Sequence, residues 1–163
     1  MDAREELASS KEDIRRKTRL VLEKVAPDRL DWSPAPKALT IRQMVRHMRL
    51  SEEGSFQVVR HGDWQYSAKR RSAPLVTLLG EAEPWEAELA AFERVHQEWL
   101  AFIRALPADG LTQEIVNPQS NQRSSVLAFV LARIEHEVHH RAQISTYLRM
   151  LGEPWPSPYG QLP

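Results

Sequence analysis

The chain has 163 residues and a mass of 18.8 kDa, and its 22 Lys plus Arg are matched by 22 Asp plus Glu. A formal net charge of zero excludes the broad positive field that nucleic acid or an anionic membrane surface attracts. The absence of cysteine excludes disulfides, thiolate ligands and a cysteine nucleophile, leaving His, Asp and Glu to hold any metal. The length fits one domain, residues 1–163, able to bury roughly 70% of the surface its unfolded form exposes. No apolar signal core follows the charged start Met1-Asp2-Ala3-Arg4-Glu5-Glu6, and no run of 18 apolar residues occurs, so a soluble cytoplasmic protein is expected.

From about residue 2 to 26, Leu7, Ile14, Val21, Leu22 and Val25 recur at helical spacing among charged residues, predicting an amphipathic first helix that Pro27 stops. Pro27, Pro34 and Pro36 make residues 27–39 an extended connection, with Trp32 placed to anchor it on the core. Thr40 followed three residues later by Gln43 is a capping box, so a second helix is expected from 40 to about 60. His47 flanks its apolar arc of Ile41, Met44, Val45, Met48, Phe56 and Val59, while Ser51, Glu52 and Ser55 fall inside it. Two readings stand: hydrogen bonds within a core, or a polar pocket.

Residues 61–82 show no sustained period and read as a long loop or lid, with Lys69-Arg70-Arg71 as solvated surface. A third helix is expected from Pro84 to about 106. Its stripe of Trp85, Leu89, Phe92, Val95, Trp99, Ile103 and Leu106 serves the core or a subunit interface, and His96 beside it reads as structural or exposed. Residues 107–123 are a turn and a connection carrying at most a short extended piece. The fourth helix, about 125–151, is apolar almost all the way round and is expected to be the most buried. Beyond it Pro154, Pro156 and Pro158 flank Trp155 and Tyr159 in a tail that cannot be helical and could pack back over the bundle. Four helices without alternating strands or repeats predict an all-α four-helix bundle with long connections.

Three of the six histidines fall in His136-Glu137-Val138-His139-His140. His136 and His140 stand one turn apart on one helical face, with Cβ atoms about 6 Å apart, so two imidazoles can hold one metal ion. His139 lies 100° round from His140 and reads as a neighbour. Phe129, Arg133, His136, His140, Gln143 and Tyr147 share a polar seam that calls for partners across the bundle, and His47 is the natural candidate. The same residues match H-E-x-x-H, the zinc-peptidase pattern with Glu137 as general base. Gln143 and Thr146 stand where the extended form needs Gly and His, and the only later acid is Glu153, so the match reads as accidental.

Taken together, Leu30-Asp31-Trp32-Ser33-Pro34, Thr40-Ile41, His47 and the distant His136-x-x-x-His140-Arg141-Ala142-Gln143-Ile144 resemble the DinB/YfiT-like superfamily of bacterial metal-binding four-helix bundles, over roughly residues 5–152. In that family one histidine of the second helix and two of the last bind a divalent metal, zinc or nickel above all. The resemblance lays those roles on His47, His136 and His140, with Glu52 as a reserve ligand. Ala142 replaces the family's frequent glycine, and Ala is the better helix former by roughly 1 kcal/mol. Relatives of this kind include S-transferases and isomerases that use mycothiol, bacillithiol or glutathione, which implies a thiol-activating metal, an electrophile as second substrate, no nucleic acid and no membrane. Ser51, Glu52, Arg133 and Gln143 are candidates for the substrate pocket or the outer coordination shell. No catalytic residue is assigned. The alternative is a metal-binding or stress-response protein without turnover. The resemblance also implies a homodimer, for which the Trp85, Phe92 and Trp99 stripe would offer apolar surface.

Overall fold

A computed structural model of the chain describes residues 2–153 and 157. Its elements in order are α1 (Ala3–Leu22), α2 (Ile41–His61), α3 (Gln65–Ser72), α4 (Leu75–Leu79), α5 (Trp85–Ala105), the strands β1 (Glu114–Val116) and β2 (Arg123–Ser125), and α6 (Val126–Met150). The fold is the expected all-α four-helix bundle, built from α1, α2, α5 and α6. Helices α1 and α2 each pack against both α5 and α6, so these two consecutive helices lie diagonally opposite one another, and the connection between them crosses an end of the bundle.

Local chemistry sets the helix boundaries. Asp2 accepts from Arg4 N at the start of α1. Thr40 and Gln43 form the full reciprocal box at α2, with Thr40 Oγ1 accepting from Gln43 N at 3.2 Å and Gln43 Oε1 from Thr40 N at 3.0 Å. Gly62, at φ 67°, takes the left-handed conformation that ends α2 and donates its N–H to Val58 O. Ser125 caps α6 through Ala128 N. Trp32 meets Tyr147 edge to face at 5.4 Å between centroids and fastens the first connection to α6.

The apolar core forms two clusters. One gathers Val21, Met44, Met48, Phe92, Ile144 and Leu148, the other Leu7, Val95, Trp99, Ile103, Val126 and Val130. On all four helices the sequence positions between these clusters carry buried polar groups: Lys11 and Arg15, Glu52, His96, Glu137 and Arg141. The bundle therefore has a charged waist. At its centre Arg15 donates through Nε and Nη2 to the two oxygens of Glu137 at 2.9 and 3.1 Å, through Nη2 to Glu52 at 3.0 Å, and through Nη1 to Phe92 O at 2.9 Å. Its guanidinium also lies 3.5 Å from the Phe92 ring centroid. One side chain of α1 thus bonds to α2, α5 and α6. Lys11 takes the second oxygen of Glu52. Burial alone would raise the Glu137 carboxyl, but the Arg15 and Lys11 charges hold it below its ordinary range.

Three expectations change. Residues 61–82 are not a plain loop, because they contain α3 and α4, whose eight and five residues are too short to show a period. Helix α6 is not buried all round: Leu131, Glu135, His139, Ala142 and Thr146 form an exposed stripe, and α2 buries ten of 21 residues against eight of 25 in α6. Counting apolar residues misled here, since several of them face solvent while charged ones fill the waist. Phe92 and Trp99, 2% and 0% exposed, lie inside their own bundle, so of the three aromatic residues of the stripe only the half-buried Trp85 could offer surface to a second chain. The tail with Trp155 and Tyr159 lies outside the described residues.

Replacing Arg15 by Met would leave Glu137 and Glu52 buried without the guanidinium they share. The expected loss is about 3–5 kcal/mol, read from urea denaturation midpoints. A loss below 1 kcal/mol would show that the waist does not hold the bundle.

Candidate metal centre and its cavity

His47 comes from the second turn of α2, and His136 and His140 come from adjacent turns of α6. Their ring centroids lie 4.6 to 5.0 Å apart. His136 Nε2 is 2.9 Å from His47 Nε2 and 3.1 Å from His140 Nε2. His140 Nδ1 lies 2.7 Å from Gln143 Oε1, so it carries the proton, and its Nε2 presents a lone pair. His136 Nε2 can set at most one proton between two neighbours. One of the two contacts is then left without a bridging proton, an arrangement that a cation accepting lone pairs from all three nitrogens relieves.

The donor set fits a divalent metal on its own chemistry. Three nitrogens bonded at about 2.0–2.1 Å around one ion at tetrahedral angles would be about 3.3 Å apart, close to the two separations observed. All three rings are neutral near pH 7. Burial, with the His140 and Arg70 charges adding to it, pushes His47 down to about 4. Burial, with Arg133 adding to it, pushes His136 down to about 3. Burial also lowers His140, against the hydrogen bond that its Nδ1–H donates to Gln143 Oε1. Gln143 therefore orients a ring and does not line the cavity. His47 Nδ1 is buried and has no hydrogen-bond partner among the described residues, whereas the second ring nitrogen of a metal-ligating histidine ordinarily donates to an acceptor.

A cavity of about 510 Å³ opens beside His47 and His136. Ser51 and Ser55 continue the His47 face of α2 into it, and Phe129 and Arg133 continue the His136 face of α6. Helix α3 covers it with Tyr66, Ser67, Arg70 and Arg71, and the β1–β2 connection closes one end with Asn117 and Gln122. Trp64 packs on Phe129 at 6.1 Å between centroids and ties this cover to α6. The lid reading of residues 61–82 thus holds for α3, whereas Arg70 and Arg71, read as plain surface, also line the cavity.

The two readings of the α2 polar set divide between its members. His47, Ser51 and Ser55 face the cavity, while Glu52 points into the waist, both oxygens taken by Lys11 and Arg15. Glu52 is neither a reserve ligand nor a pocket residue. Glu137 is likewise 2% exposed and held by Arg15, about 100° round α6 from His136, so it cannot act as the base of an H-E-x-x-H peptidase. His139 is exposed, 4.9 Å from the His140 ring, and its α6 face differs from theirs. His96 is fully buried, with Nε2 2.7 Å from Glu12 Oε2, and belongs to the waist.

Tyr66 was not legible as a site residue. Its hydroxyl stands 3.5 Å from Ser51 Oγ at the cavity wall. Its ring lies so close to Gly54 that a Cβ there would sit 2.6 Å from Tyr66 Cγ. The one signal was a glycine in mid-helix, which helices tolerate only where something packs close.

The DinB superfamily sequence profile matches residues 12–144. The chain belongs to the DinB superfamily. It is 22% identical over 137 residues to the uncharacterized protein YjoA of Bacillus subtilis (strain 168), covering 83% of this chain and 82% of that one. The crystal structure of YjoA, a DinB-like protein, superposes with a TM-score of 0.72 at 18% identity, covering 96% of this chain and 99% of that one. YfiT from B. subtilis, described as a probable metal-dependent hydrolase with an unusual four-helix bundle topology, gives 0.70 at 20% identity over 94% of this chain and 89% of YfiT. At these identities the structures establish the fold.

Two outcomes follow. Gly54→Ala should cost about 1–3 kcal/mol through overpacking against Tyr66, more than the propensity gain of about 1 kcal/mol, as read from thermal or urea unfolding. In the metal-free protein, imidazoles held below their ordinary 6.5 bind fewer protons folded than unfolded. Their contribution is therefore complete above about pH 6.5 and is lost as pH falls from there toward 3–4. Urea midpoints should stay level above pH 7 and drop below 6.5, and the drop should be shallower in a His47→Gln, His136→Gln variant. Equal slopes in both proteins would exclude these rings as the cause.

Proposed function

We propose that the protein binds one divalent ion, zinc or nickel, through His47, His136 and His140, and uses it to activate a low-molecular-weight thiol for transfer to an electrophile. The observation that carries this reading is the convergence of three neutral imidazoles at one side of a cavity of about 510 Å³, in a chain that has no cysteine of its own. A bound divalent ion would supply Lewis acidity, lowering the pKa of a thiol or water placed beside it. The chain supplies the rest. Gln143 fixes the His140 ring, and burial keeps the imidazoles unprotonated. Trp64, Tyr66 and Phe129 shape a partly apolar chamber that sheds water from a small organic substrate. In the transfer, the thiol loses its proton to solvent, a carbon–sulfur bond forms, and the electrophile's leaving group departs or its double bond takes up a proton.

A second reading replaces the thiol with water, and the likeness to YfiT, a probable metal-dependent hydrolase by its own description, favours it. A third is metal binding in a stress response without turnover. We retain the homodimer in the proposal, with sedimentation at micromolar concentration as its check. Mycothiol, bacillithiol and glutathione are the thiols to offer first.

Anaerobic purification and metal analysis should find one ion per chain. His47→Ala, His136→Ala and His140→Ala should each weaken binding far more than His139→Ala, His96→Ala or His61→Ala. Loss of metal in His139→Ala with retention in His47→Ala would overturn the ligand set. The metal-loaded protein, offered a panel of thiols with electrophiles and a panel of esters and amides, should give saturable, metal-dependent conjugation. Hydrolysis alone would select the second reading, and metal without turnover the third.

A further inference from the structure

The cavity wall has a charge pattern that the neutral chain as a whole does not share. Among the described residues that line it are three arginines, Arg70, Arg71 and Arg133, and no aspartate or glutamate. Arg71 bonds to Gln119 at the rim. Arg133 is different: it lies on α6 one turn before His136, and its Nε is buried without a hydrogen-bond partner among the described residues. The nearest carboxylate that acts on it, Glu52, is already committed to Lys11 and Arg15. A guanidinium whose buried Nε is unmet carries a desolvation cost that a bound anion removes.

From this we infer that the substrate bound beside the imidazole cluster bears a carboxylate, received by Arg133 with Arg70 as the outer cation. The inference rests on the proposed reading that a small molecule occupies this cavity. A guanidinium offers a planar fork that matches a planar carboxylate in two parallel hydrogen bonds, shorter and stronger than neutral ones. A phosphate dianion would call for a second buried cation, and Arg70 and Arg71 are both exposed. Arg133 and His136 are separated by one helical turn, which puts the anion site a few ångströms from the imidazole nitrogens. A substrate with a reacting atom at one end and a carboxylate three or four bonds away spans both. The guanidinium needs no proton transfer for this, so it is a positioning residue. Ser51 Oγ and the Tyr66 hydroxyl lie on the same wall and can take the remaining carboxylate lone pairs.

The test uses the full chain loaded with cobalt(II), whose visible spectrum reports a thiolate entering its shell. Mercaptopropionate and mercaptobutyrate are titrated against the uncharged mercaptopropanol and mercaptobutanol, and propionate is titrated separately by calorimetry. The acids should bind about tenfold or more tightly than the alcohols. Arg133→Gln should abolish that preference, Arg133→Lys should keep part of it, and all variants should retain their cobalt. Arg70→Gln, on an exposed residue, should reduce the preference a few-fold and keeps the test open if Arg133→Gln does not fold. If no thiol alters the cobalt spectrum but propionate binds in an Arg133-dependent way, the carboxylate site stands and the thiol reading falls. Acids and alcohols binding equally, or a preference unchanged in a folded Arg133→Gln, would overturn the inference.

Discussion

A single guanidinium, that of Arg15, sets the geometry on which the rest of this bundle depends. Placing it in the centre of a helical core is costly, and its attraction to a carboxylate offsets that cost only where nearly every donor is met. Here its bonds reach Glu52 on α2, Phe92 O on α5 and Glu137 on α6. The consequence is rotational. With Glu137 turned toward Arg15, the neighbouring His136 is carried about 100° round α6, out of the core and toward α2. Glu52 is turned inward in the same way, which leaves Ser51 and, one turn earlier, His47 on the cavity side. The charged waist and the imidazole cluster are two faces of one arrangement, with the carboxylates locking the phase of each helix and the histidines using it.

Electrostatics divides the same level of the bundle into two regions. On the core side, charges pair in close contact and neutralise one another. On the cavity side, the histidines are held neutral by burial, and the fixed charges on the wall are all cationic. An ion bound by three neutral ligands keeps its full charge, so a DinB site of this composition attracts electron-rich donors and anions together. That combination suits a nucleophile that must give up a proton, whether thiol or water.

The parts of this structure governed by short-range rules were legible in the sequence. Thr40 with Gln43 and the prolines between the first two helices fixed boundaries through local hydrogen bonds and backbone sterics. His136 and His140 were readable because a helix fixes their spacing. What escaped depended on contacts far apart in sequence. Glu52 and Glu137 looked like pocket or surface residues because nothing near them reveals Lys11 or Arg15, 41 and 122 positions away. The Trp85, Phe92 and Trp99 stripe looked like spare surface because burial by a chain's own helices and burial by a partner have the same pattern. Helices α3 and α4 were too short to show a period, and Tyr66 depended on a gap at Gly54 that only the packed form displays.

The diagonal placement of α1 and α2 bears on how the molecule comes into being. The two leave the ribosome before α5 and α6, yet neither packs mainly on the other; each waits for α5 and α6. Until α6 emerges, Arg15 lacks Glu137, and His47 lacks both of its companion rings. A nascent chain that ends before α6 therefore presents one histidine of the three, together with buried-type charges still in water. The imidazole cluster is completed only when α6 docks. An ion captured there would report a finished bundle, and it would add its binding free energy to the folded state alone.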